Sequence, residues 1–82
     1  MSAAKLYVGN LGYERSEAGL RTLFEPHGDV ASVTLMFDRA SGRSRGFGFV
    51  EMGTPEQAQM AKSALDGAHL DGRSLTVDEA RE

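Results

Sequence analysis

The chain has no cysteine and no tryptophan, only two prolines, and no apolar run approaching the length of a membrane span. Without cysteine there are no disulfides, thiolate metal sites, iron–sulfur clusters or thiol nucleophiles. The opening MSAAK leads almost directly into a strand pattern and lacks the apolar stretch of a secretory signal. A cytoplasmic protein with no membrane contact is therefore expected. Excess positive charge is also missing: nine Lys and Arg stand against twelve Asp and Glu, for a net charge of −3. That balance counts against a general polyanion binder. What remains is 82 residues, 40% hydrophobic and 26% charged, which suits one small domain (1–82) with a single modest core.

No internal repeat, low-complexity tract or linker interrupts the chain. Lys5 to Asn10 reads as a short strand. Ser16 can cap a helix whose Leu20, Leu23 and Phe24 recur at helical spacing; Gly19 weakens it and Pro26-His27-Gly28 ends it. Val30 to Phe37 alternates as a second strand, with Val33, Leu35 and Phe37 on one face and Thr34 and Met36 on the other. A polar loop, Asp38 to Ser44, precedes a third strand. Thr54, Pro55 and Gln57 form a helix start with a capping box, and Ala58, Ala61 and Leu65 give that helix its apolar stripe. Gly67 is placed to terminate it. Asp71-Gly72 marks a tight hairpin, and a last strand turns Leu75 and Val77 inward and Thr76 and Asp78 outward. The order is strand, helix, strand, strand, helix, strand. Each helix has one apolar stripe, so both cover the same sheet face and the other stays open.

Two segments speak to function, LYVGNL (Leu6 to Leu11) and RGFGFVEM (Arg45 to Met52). Alternate strand residues point to opposite faces. Phe47 and Phe49 therefore share a face with Arg45 and Glu51, whereas Gly46, Gly48, Val50 and Met52 take the other. In the first segment Tyr7 shares its face with Lys5 and Gly9, while Leu6 and Val8 point inward. Burying the two phenylalanines would drag Arg45 and Glu51 inward with them, and unpaired buried charge is expensive. Three aromatics on solvent faces beside basic side chains mark a binding surface, and bases stacked on the rings would explain them. The glycines on the inward face suggest close approach of another backbone, with a covering helix as the expected neighbour.

These residues resemble the RNA-recognition motif family, whose signature K/R-G-F/Y-G/A-F-V-x-F/Y is matched by RGFGFVEM at seven of eight positions, with Met52 in place of the last aromatic. LYVGNL resembles the family's shorter motif throughout, and the two segments begin 39 residues apart. The chain is similar to short single-motif bacterial RNA-binding proteins and to the first part of plant glycine-rich RNA-binding proteins. The resemblance implies an α+β, ferredoxin-like βαββαβ fold: a four-stranded antiparallel sheet in order 4-1-3-2 with two helices on one face. Single-stranded RNA is the expected partner, with single-stranded DNA bound more weakly, and no cofactor, no catalysis and a monomeric state are expected. The resemblance puts Tyr7 and Phe49 under successive bases, Phe47 against sugars or between nucleotides, and Arg45 on a phosphate. Met52 has the inward parity, so its departure bears on core packing and not on stacking.

Lys5 shares the aromatic face and is a second candidate for phosphate. Asn10 matches the shorter motif, but an asparagine ending a strand is also common turn chemistry. Arg39 and Arg43 lie on the basic loop, where each is equally well read as solvated charge. Arg81 either contacts RNA beyond the last strand or frays with the terminus. His27 and His69 fall in separate turns and make no metal site. Gly46-Phe47-Gly48 is followed by Glu51 where a dinucleotide fingerprint needs glycine, and no Gly-Lys-Ser/Thr occurs. Two other function classes compete. A protein-interaction domain of the same fold would use the sheet or the helices, a role that usually accompanies loss of the aromatics. An acylphosphatase-like enzyme shares the strand and helix order, but the segment after the first strand offers no arginine until Arg15.

Overall fold

The computed structural model describes residues 4–11, 16–37, 39–42, 44–70 and 72–80, and for residues 44, 45 and 70 the backbone alone. Its elements run β1 (Lys5–Gly9), α1 (Glu17–Phe24), a 3-10 turn (Glu25–His27), β2 (Val30–Phe37), β3 (Ser44–Met52), α2 (Pro55–Leu65), β4 (His69–Leu70), β5 (Arg73–Ser74) and β6 (Thr76–Glu79). The main sheet is antiparallel in the order β2-β3-β1-β6. With the small β4-β5 hairpin set aside, that is the expected 4-1-3-2 arrangement read from the other edge.

Local chemistry sets the helix ends. Ser16 Oγ accepts from the Gly19 amide at 3.1 Å, and Thr54 Oγ1 accepts from the Gln57 amide at 3.2 Å, each filling one of the donors a helix start leaves open. The reciprocal half expected of the Thr54 capping box goes elsewhere: Gln57 Oε1 accepts from the Asp29 amide at 3.2 Å and ties α2 to the approach to β2. Pro26 sits in the 3-10 turn that closes α1, and Gly67, at φ 83°, turns the chain out of α2.

Leu20 and Phe24 of α1 and Ala58, Ala61 and Leu65 of α2 meet Leu6, Val8, Val50, Met52 and Val77 of the sheet in one buried cluster. The two alanines let α2 approach closely, and truncating a ring buried as fully as Phe24 costs about 3–5 kcal/mol. Met52 is 1% exposed, so the residue that departs from the aromatic signature packs under the sheet.

Two sequence expectations fail locally. Phe37 is 49% exposed and not inward, because the β2–β3 register shifts between Leu35 and Phe37 and breaks the alternation that Val33 and Leu35 follow. Gly48 does make close room for backbone, but for a strand instead of a helix. A Cβ there would stand 2.5 Å from the Thr34 carbonyl oxygen and 3.1 Å from Leu35 Cα, both on β2.

Both open edges of the sheet are served by helix side chains. On β2, Glu17 Oε2 accepts from the Leu35 amide at 3.0 Å and Arg21 donates to the Val30 carbonyl at 3.1 Å. On β6, Asp66 Oδ1 accepts from the Val77 amide at 3.0 Å. Such bonds occupy groups that would otherwise template another strand.

Candidate nucleic-acid interface

β1 and β3 are neighbours, with Tyr7 paired across to Phe49, and Phe47 two residues further along β3 on the same face. The three rings form a triangle. Centroid separations are 5.9 Å for Tyr7–Phe47, 6.0 Å for Tyr7–Phe49 and 6.2 Å for Phe47–Phe49. All three are half-buried on the sheet face away from the helices, while Leu6, Val8 and Val50 between them are fully buried. Rings grouped this way support each other edge to face and still offer flat apolar area to solvent.

Gly9 shapes this surface. A Cβ at position 9 would lie 2.6–2.9 Å from the Tyr7 hydroxyl, Cε2 and Cζ, so the tyrosine ring reclines over the glycine. Lys5 holds its ammonium 5.2 Å from the Phe49 ring centroid, a cation–π distance, and pairs across the strands with Glu51. Ser32 Oγ donates to Glu51 Oε1 at 3.4 Å on the β2 side. Thr34 lies opposite Phe49 on β2, and the half-buried Met36 is two residues beyond it.

The other expected contacts divide. Asn10 adopts φ 61°, the left-handed region asparagine tolerates, and its Nδ2 donates to the Ser74 carbonyl at 2.6 Å. That bond pins the end of β1 to the small hairpin, which favours the turn role over a ligand role. Arg45 lies on β3 immediately before Gly46, whose φ of 85° interrupts regular alternation, so its face does not follow from that of Phe47. Arg39 is on an exposed turn. Arg43 and Arg81 lie outside the described residues. His27 and His69 belong to separate elements, and among the described residues no group of three or more His, Asp or Glu could hold a metal.

Beside Tyr7 the sheet carries an acid whose carboxylate turns to the outer edge, Oδ1 lying 3.3 Å from Lys62 Nζ and accepting from the Glu79 amide at 2.8 Å. Asp78 on β6 is the register partner of Tyr7 on β1, and its side chain is 67% exposed. The signal was the outward parity of Asp78, but strand order is needed to bring β6 beside β1.

Residues 6–76 match the family described as the RNA recognition motif. The chain belongs to that family. It is 49% identical over 76 residues to a putative RNA-binding protein, RbpB, of Nostoc, covering 93% of this chain and 74% of that one. The crystal structure of RNA binding protein PG1 superposes with a TM-score of 0.91 at 44% identity, covering 96% and 95% of the two chains. The structure of the Rna15 RNA recognition motif with bound RNA superposes with a TM-score of 0.88 at 29% identity, over 100% of this chain and 86% of that one. The chain spans just 28% of the 28 kDa chloroplast ribonucleoprotein of Nicotiana sylvestris, to which it is 46% identical over 78 residues.

Proposed function

We propose that this domain binds single-stranded RNA by stacking unpaired bases on Tyr7, Phe47 and Phe49. The observation that carries the reading is the ring triangle itself, held half-buried on the one sheet face that no helix covers. Tyr7 and Phe49 take successive bases, Phe47 packs against sugars or between nucleotides, and Lys5 and Arg45 meet phosphates. Arg43 and Arg81 are proposed as peripheral contacts at the loop and beyond β6, and Asn10 contributes through the turn it holds.

Base–ring stacking is worth about 1–3 kcal/mol per base and tolerates any base. Single-stranded DNA offers the same faces and binds more weakly where 2′-hydroxyl contacts are lost. The Leu35 amide on β2 and the Val77 amide on β6 are taken by Glu17 and Asp66, which supports a monomer. The reading is of a non-catalytic, single-domain module acting in the cytoplasm, in post-transcriptional regulation or as an RNA chaperone. Among the described residues no helix is long and apolar enough to cross a membrane.

The test is competition against one labelled single-stranded RNA by an unlabelled single strand, a short-loop hairpin and a blunt duplex of matched sequence. A ring stacks only on a base freed from its neighbours, and a flat sheet cannot enter the narrow major groove of an RNA duplex. The duplex should compete least and the hairpin should fall between. Equal competition by the duplex would leave an electrostatic contact and remove the stacking mechanism.

A further inference from the structure

Position 9 shares the parity of Tyr7, so a side chain there would point to the open face of the sheet. Gly9 is nevertheless buried, and what covers that side of it is the Tyr7 ring. A Cβ at position 9 would meet the Tyr7 hydroxyl at 2.6 Å, Cε2 at 2.8 Å and Cζ at 2.9 Å. Gly9 is not among the residues at positive φ, so backbone conformation does not call for glycine here. What the glycine supplies is the room above its Cα.

A side chain at position 9 would force either the strand or the ring to move, and the strand is the more firmly held. Gly9 is the register partner of Thr76 on β6. Beyond it, Asn10 Nδ2 donates to the Ser74 carbonyl at 2.6 Å and the Leu11 amide donates to the Gly46 carbonyl at 2.8 Å. This end of β1 is thus tied on both flanks. The Tyr7 atoms in contact are the outer end of one side chain, which can turn about χ1 and χ2. Ordinary carbon contacts begin at about 3.5 Å, so the ring end would retreat by roughly 0.6–0.9 Å. That retreat lifts it off Gly9 and changes its 31° inclination to Phe47.

We infer that the size of residue 9 sets the affinity of the Tyr7 stacking position, with Gly9 as the positioning residue that lets the ring lie down. The inference rests on the stacking function proposed above and adds a residue that acts only through the ring. A larger residue keeps the fold and weakens binding. Stability and affinity then move apart. Replacing a glycine at an unstrained φ restricts the unfolded chain, and valine suits a strand, so neither change threatens the fold.

The test measures single-stranded RNA affinity and Tm for wild type, G9A, G9V, Y7A and the double variants Y7A/G9A and Y7A/G9V. G9A should weaken binding about threefold and G9V by more, neither exceeding the roughly 5- to 150-fold loss expected of Y7A. Both single variants at position 9 should melt within a few degrees of wild type or above it. In the Y7A background neither substitution should change affinity by more than about twofold, because the ring through which they act is gone. Nuclear Overhauser contacts between the Tyr7 ε protons and the Gly9 α protons report the ring pose in wild type, with no RNA and no variant. The contacts between the Tyr7 and Phe47 rings should weaken from wild type to G9A to G9V. Absence of the Tyr7–Gly9 contact overturns the inference whatever the variants do. Wild-type affinity in G9A and G9V, or an equal loss with and without the Tyr7 ring, also overturns it, while a weakened Y7A leaves stacking standing. Wild-type affinity in Y7A removes the ring from binding and overturns both readings together.

Discussion

Tyr7 and Phe47 lie 5.9 Å apart with ring planes inclined by 31°, whereas each meets Phe49 more nearly edge-on, at 66° and 89°. Phe49 is thus the strut that keeps the other two rings facing the same way. Aromatic pairs of this kind contribute about 0.5–1.5 kcal/mol beyond their buried area. The surface is arranged before any ligand arrives, and a stacked base need not pay to order it.

The arrangement depends on how closely β2 and β3 approach. Gly48→Ala places a Cβ 2.5 Å from the Thr34 carbonyl oxygen, and backbone cannot swing aside as a side-chain tip can. Overpacking of this sort costs about 1–3 kcal/mol. Thermal unfolding should show the loss, and RNA affinity should fall with it because Phe47 and Phe49 flank the disturbed residue. Wild-type stability in the alanine variant would mean that the strands do not pack this tightly.

The edge of β6 offers a contrasting case. Asp66→Ala removes the acceptor of the Val77 amide, on the side of β6 away from Tyr7. Loss of about 1 kcal/mol from a domain of this size lowers Tm by about 4–8 °C. RNA affinity at a temperature where the variant is folded should stay unchanged. A weakened affinity there would show that the β6 edge and the rings are coupled.

Parity and spacing carried most of this fold. Leu6, Val8, Val50 and Met52 are buried and Tyr7, Phe47 and Phe49 are not, because a regular strand translates directly into two faces. Reading failed where strands are irregular. Phe37 follows a register shift, and Gly46, at φ 85°, separates Arg45 from the alternation of the phenylalanines. The β4-β5 hairpin was visible in its turn signal, but the bond from Asn10 to Ser74 was not, since it joins residues 64 apart in sequence. The pairing of Asp78 with Tyr7 needs strand order, which periodicity does not contain. The backbone that Gly48 approaches belongs to a neighbouring strand for the same reason.

Salt dependence reports how much of the binding is electrostatic. Lys5, Arg45 and one loop arginine would neutralise two or three phosphates, which for a single strand gives a log–log slope of about −1.4 to −2.1. Titrations from low to moderate salt should return that shallow line, in keeping with a chain of net charge −3. A slope steeper than about −4 would mean that charge carries the affinity and the rings are secondary.

Affinity and melting temperature measured together on Phe47→Ala and Phe49→Ala test the stacking mechanism most directly. Each ring stands on the open face and outside the buried cluster, so truncation should leave Tm within a few degrees. Each should weaken single-stranded RNA binding by about 5- to 150-fold, the worth of one base–ring stack. The double variant should lose less than the product of the two effects, because the rings touch and share support. Intact RNA binding with a large fall in Tm would contradict the account, returning both rings to the core and leaving the open face without a function.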